Sequence, residues 1–273
     1  MRPLKLPALF VVLALALFGF ASCGGDDGDE EASDPSTSAE DLGLIDDATL
    51  RVCSDIPYEP FEFEGDGPSG FTGFDIDLLQ AMADELELTL EVQVTPFDGI
   101  LGAVAAGDCD VVASALTITE ERAEQVAFTD PYFDADQSLM IKTDQASEIS
   151  GLDDLAGGTI GVQTGTTGET YAEENAPDDA TISSFDGADG LFGAIEADQI
   201  DAILQDFPVN AYRTTQDDTL EVVEEFETGE EYGFALAQDN DALLDALDRA
   251  LGTVRDDGTY DELFEEYFGE GES

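Results

Sequence analysis

The sequence contains no histidine and no tryptophan, only three cysteines, and eight Lys+Arg against 65 Asp+Glu. Without histidine the chain lacks the side chain most often used as a general base near neutral pH and the commonest zinc ligand, so neither a metal site nor a cofactor is expected. The shortage of positive charge excludes nucleic acid as a partner. A chain of formal net charge −57 with no basic patch repels a polyphosphate. The acids are spread along the chain rather than gathered in blocks. That pattern suits high salt, where self-repulsion is screened, and it points to a halophilic acidic protein.

Long apolar runs are scarce as well. The single candidate lies at the start, "MRPLKLPALFVVLALALFGFASC". Arg2 and Lys5 precede a run from Ala8 to Phe20, and small residues follow, which is the anatomy of a signal peptide over residues 1–22. The run is shorter than a membrane span of about 20 residues. "FASC" resembles a bacterial lipobox, with Phe20 where leucine is usual. The resemblance makes Cys23 the lipidated first mature residue; an ordinary signal peptide with an unmodified Cys23 is the alternative. Residues 23–44 carry "GGDDGDEEASDPSTSAEDLG", with no aromatic residue and almost nothing apolar. Such a stretch buries too little to offset its ordering entropy and reads as a flexible, lipid-anchored linker. The layout predicts an exported protein, at the outer face of the cytoplasmic membrane or in the periplasm.

The remaining chain can form one large domain or two smaller lobes. "TLRVCS" (49–54) reads as a buried strand. In "FDIDLLQAMADEL" Phe74, Leu78, Met82 and Leu86 fall at helical spacing, with Leu79 and Ala81 beside them. "TLEVQVT" alternates as a strand, "FDGILGAVAAG" is a short helix closed by Gly107, and "DVVASAL" is a third buried strand. The order then repeats: strand "GTIGVQ", a helix from "TTGETYAEEN" that Thr166 or Thr167 can cap, strand "TISSF", helix "GADGLFGAIEA" and strand "IDAILQD". Two extended pieces, "LEVVEEF" and "YGFALAQ", and two helices finish the chain, the last with Thr259 and Glu262 at capping-box spacing. Alternating strands and helices predict parallel sheets with helices on their faces. Cys53 and Cys109 are an even pair that can form a disulfide, although they fall on neighbouring strands out of register.

In open parallel sheets, ligands bind beyond the carboxyl ends of the strands. "DIPYEPFEF", with Asp55 and Tyr58, follows the first strand; "PFDG", with Phe97, follows the second; "SALTITEER", ending in Arg122, follows the third. In the second half "QTGTTG" follows one strand and "QDFPVNAY", with Asp206, another. Only six basic groups serve the chain beyond the leader, so a cation beside Ser114, Thr117 and Thr119 is a candidate anion site. A salt bridge from Arg122 to Glu120 or Glu121 is the alternative.

These motifs, together with "GFDIDL", "GDCDVVASALTITEERAEQVAFTDPYF", "DAILQD" and "DGTYDELFEEYF", resemble the substrate-binding proteins of amino-acid ABC importers, the polar amino-acid solute-binding family 3 of periplasmic binding protein type 2 fold. The resemblance runs from about Thr49 to Phe268. It implies an α/β fold of two lobes joined by two hinge strands, near Gln137–Lys142 and Tyr232–Ala237. Lobe 1 would take residues 45–137 and 235–270, and lobe 2 residues 138–234. It implies a free amino acid in the cleft, with Arg122 and Thr117 on its carboxylate and the amides of Thr166 and Thr167 adding donors. Asp206 and Ser114 would hold its ammonium, and Tyr58 and Phe97 would sandwich its aliphatic part. Asp55, Ala115, Gln163 and Gln205 fall at the side-chain end. An acid and two amides there suit a polar, basic side chain, although Asp55 can equally be structural. The partners implied are an ABC permease and, through the lipid, the membrane, with the protein a monomer. An enzyme of the same fold, such as a cyclohexadienyl dehydratase, is the rival; it needs a positioned acid or base.

Overall fold

The computed structural model describes residues 42–269. The expected signal peptide, Cys23 and nearly all of the linker lie outside these residues. The first strands and helices are β1 (Thr49–Ser54), β2 (Phe63–Glu64), β3 (Phe71–Thr72), α1 (Phe74–Glu85), β4 (Thr89–Val94), α2 (Ile100–Ala106), β5 (Val111–Val112), α3 (Glu120–Ala123) and β6 (Val126–Phe128). The middle of the chain gives β7 (Phe133–Lys142), β8 (Thr159–Gln163), α4 (Thr167–Asn175), β9 (Thr181–Phe185), α5 (Ala188–Glu196), β10 (Ala202–Asp206) and α6 (Phe207–Gln216). It closes with β11 (Leu220–Tyr232), β12 (Ala235–Ala237), α7 (Asp241–Asp256) and α8 (Thr259–Phe268).

Two five-stranded sheets result, one in order β4-β1-β5-β12-β6 and the other β11-β7-β10-β8-β9. In the first, β1 runs parallel to β4 and β5, and β12 runs antiparallel to β5 and β6. In the second, β8 is parallel to β9 and β10, and β7 is antiparallel to β10 and β11. The expected α/β fold of two lobes is what forms. Each sheet buries both faces, as helices on both sides require. Along β7, Leu139 and Ile141 join one core and Met140 the opposite one, following the two-residue period of a strand. On α7 the buried residues Leu243, Ala246, Leu247, Ala250, Leu251 and Val254 repeat every three or four positions, and the Asn240 side chain caps the helix at Leu243 N.

The chain passes from the first sheet to the second between β6 and β7 and returns between β11 and β12. Gln137–Lys142 lies within the second sheet, paired to β10 and β11, so the outward passage comes before it. There Phe133 stacks on Tyr232 (ring centroids 5.7 Å apart), with Phe61 edge-on to both. Gly73, which leads into α1, has φ 123°, and a Cβ there would meet the Phe61 carbonyl oxygen at 2.2 Å. Glycine is required by that close approach.

Two local expectations are corrected, and the possible disulfide forms. "DVVASAL" is a strand only at Val111–Val112, because the backbone turns at Ala115 (φ 43°), whose amide donates to Asp75 Oδ2 at 2.8 Å. Thr259 and Glu262 form no capping box: Gly258 is the N-cap of α8, and Thr259 N donates to Asp257 Oδ1 instead. Cys53 and Cys109 are disulfide-bonded. Cys109 is not on β5 but in the loop before it, which brings the two Cα atoms within 5.8 Å, so strand register does not decide the pairing. Among the described residues no helix is long and apolar enough to cross a membrane.

Candidate functional site

Arg122 is set by its own short helix. Thr119 caps α3, its hydroxyl accepting from Arg122 N. The guanidinium turns back to donate to the carbonyls of Thr117 (2.8 Å) and, from the other sheet, Gly165 (3.1 Å), and it lies over the Phe97 ring at 5.4 Å. Arg122 is only 8% exposed. Among the described residues no carboxylate comes within 4.0 Å of Arg122. The Glu120 or Glu121 salt bridge therefore does not form. Burial lowers the Arg122 pKa, and the more distant Asp206 and Glu230 act against that.

Asp206 presents the opposite case. It ends β10 and is the N-cap of α6, but its side chain makes no cap bond. Its carboxylate accepts from Tyr58 OH (2.8 Å), Tyr232 OH (2.5 Å) and Gln137 Nε2 (2.5 Å). All three donors are neutral. Burial, with Glu230 adding to it, raises the Asp206 pKa to about 6, against the pull of those hydrogen bonds. A buried cation without an acid and a buried acid without a cation thus share one site.

The other groups fill the space between. Thr117 donates to Glu230 Oε2 (2.9 Å), and its oxygen is 3.5 Å from the Thr167 hydroxyl. Thr166 caps α4 at Glu169 N, so the N-terminus of that helix opens at the site. Gln163 Nε2 donates across the lobes to Asp55 Oδ2 (2.6 Å), while Asp55 N donates to the Ser114 hydroxyl (2.9 Å). Burial raises the Asp55 pKa, and Gln163 opposes the rise. Asp55, Tyr58, Phe97, Ser114, Ala115, Thr117, Arg122, Gln163, Thr166, Thr167 and Asp206 line a common space with Glu62. That space is about 20 Å³, room for about one water, so an amino acid enters only if the lobes part or side chains move.

Two placements differ from expectation. Gln205 does not line the site: its amide donates to Asn210 Oδ1 (2.8 Å). Next to Asp206 on one strand, it points to the opposite face. Glu62, one of 65 acids in the chain, also lines it. Among the described residues no group of three or more His, Cys, Asp or Glu is placed to hold a metal ion. A wider groove of about 1010 Å³ lies elsewhere, between β7, β11, α6 and α8, and shares with the residues above only Glu230.

Residues 50–270 match the family described as bacterial extracellular solute-binding proteins, family 3. The chain is 30% identical to the probable histidine-binding protein of Neisseria gonorrhoeae over 94% of this chain and 93% of that one. Among solved structures it is similar to an ancestral arginine-binding protein bound to arginine, with a TM-score of 0.76 and 37% identity over 81% of this chain and 99% of the other. It is also similar to the ancestral amino acid-binding protein AncCDT-1, a precursor of cyclohexadienyl dehydratase, with a TM-score of 0.75 and 39% identity over 81% and 96%. The chain belongs to family 3 of the bacterial extracellular solute-binding proteins.

Proposed function

We propose that the protein captures a free basic amino acid between its lobes and delivers it to the permease of an ABC importer. The observation that carries this is the pair of unmatched buried charges. An amino acid brings a carboxylate for Arg122, as a bidentate charge-assisted contact, and an ammonium for Asp206. Thr117 and the N-terminus of α4 assist at the carboxylate, and Tyr58 and Phe97 bracket the aliphatic part. Asp55, Gln163 and Glu62 meet the side chain. No second cation lines the site among the described residues, so an acidic ligand would face like charge. The names of the similar histidine- and arginine-binding proteins agree with this preference. Grips on both lobes favour the closed form when ligand is present, which is what drives closure. Export, a lipid anchor at Cys23, a monomeric state and a saline habitat complete the reading.

The test is a thermal-shift screen of the twenty amino acids with ornithine and citrulline, followed by calorimetry. A ligand at one hundred times its Kd stabilises the native state by about 2.7 kcal/mol. Arginine, lysine or ornithine should give the largest rise in Tm and glutamate none. A top rank for glutamine would overturn the basic preference; no response from any amino acid would overturn the binding role.

The rival reading is a dehydratase of the same fold. Glu62, a buried acid at the cleft, is the feature that favours it. Incubation with prephenate, followed by its absorbance, separates the two: steady turnover means an enzyme.

A further inference from the structure

Glu62 is fully buried, yet only half of its carboxyl is used. Oε1 accepts from the Ser114 hydroxyl at 3.0 Å, while Oε2 has no hydrogen-bond partner and the residue lines the cleft. A buried carboxyl oxygen left unpaired calls for an explanation. The titratable groups that act on it most strongly are acidic: Asp55 and Tyr58 from its own segment, Asp75 on α1, Tyr132 before β7, and Asp206 at the end of β10; Arg122 on α3 lines the same space. Asp75 is the closest rival for a charge. It accepts from Tyr132 OH and from the Ala115 amide, and burial still raises its pKa to about 7. Glu62 has one such bond where Asp75 has two, so Asp75 keeps the charge more readily and Glu62 keeps the proton. Burial first, then Asp75, hold the Glu62 pKa well above the ordinary carboxylate range.

We propose that Glu62 receives the side-chain cation of a basic amino acid and gives up a proton as it does so. This rests on the basic-amino-acid reading of the site. The Glu62 O–H bond breaks, the proton passes to solvent buffer, and the freed carboxylate accepts from the guanidinium or ammonium. One positive charge enters as another leaves, so the acidic pocket is neutralised by a proton when open and by the ligand when closed. An uncharged side chain cannot make that exchange. The sign follows from linkage. A cation binds the ionised carboxylate, so affinity for arginine climbs with pH by up to about tenfold per unit, and levels off above the Glu62 pKa of the free protein. Citrulline, the uncharged analogue of arginine, lacks this slope.

The experiment is calorimetry at pH 7 with arginine and with citrulline, each in two buffers of different ionisation enthalpy. Both ligands carry the same α-ammonium, so any proton released through Asp206 cancels between them. Arginine should release more protons than citrulline, or, if citrulline does not bind, should release protons on binding. Glu62→Gln should abolish that release and weaken arginine more than tenfold, leaving citrulline no weaker. Asp55→Asn should leave the release in place. Arginine binding with no proton release would overturn the proposal while the amino-acid reading stands, as would release abolished by Asp55→Asn but not by Glu62→Gln. Failure to bind any basic amino acid would overturn both. If Glu62→Gln does not fold, the native protein in two buffers still decides.

Discussion

Arg122→Ala should lose binding of every amino acid, by more than a hundredfold, rather than change the preference among them. The guanidinium is already oriented by the Thr117 and Gly165 carbonyls and the Phe97 ring, so it meets a carboxylate without further ordering. It is the only cation lining the site among the described residues, and none of their carboxylates comes within ion-pair distance of it. Removing it leaves the ligand carboxylate buried, unpaired and surrounded by acids. Such a loss costs about 3–5 kcal/mol, and 1.4 kcal/mol is a factor of about ten. The α-carboxylate is common to all amino acids, so the loss should not discriminate. Arg122→Lys keeps the charge but not the planar fork, and should fall between the two. Calorimetry on a variant that keeps its far-ultraviolet circular dichroism is the measurement. Near-native affinity in folded Arg122→Ala would remove Arg122 from the site.

Asp206→Asn should also bind poorly, by about 2–4 kcal/mol, for a different reason. The variant loses the ammonium's counter-charge. Its new amide group also faces Tyr58, Tyr232 and Gln137, which all act as donors toward Asp206. Stability should not fall in step. The Asp206 pKa is raised in the folded protein, so the folded state holds its extra proton between about pH 4 and about 6. Above pH 6 the native fold must bury an ionised carboxylate, a cost that asparagine removes. A variant that unfolds more easily but binds normally would instead mean that Asp206 is structural. The native protein should bind all amino acids more weakly below pH 6, because the ammonium needs the ionised form.

Why some of this was legible in the sequence and some was not follows from particular residues. Arg122 stood out because cations are rare and its position follows a strand. Asp206 was placed by the same strand-end argument. Glu62 lies in the same motif as Asp55, but among 65 acids one more is expected there by chance and carries no signal. Gln205 was assigned through resemblance, although its adjacency to Asp206 already implied the opposite face. The disulfide could not be settled from strand order because one of its cysteines is in a loop. The turn that shortens β5 is held by a contact from Asp75, 40 residues away, which no local pattern records.

The two tyrosine hydroxyls on Asp206 give the molecule an optical property. Tyr58 and Tyr232 are two of seven tyrosines, and the chain has no tryptophan to mask them. In the proposed complex an ammonium against Asp206 would replace the lone carboxylate beside both phenols by a neutralised ion pair. Near-ultraviolet absorption and emission of the native chain should then report the proposed occupancy, with no dye and no engineered label.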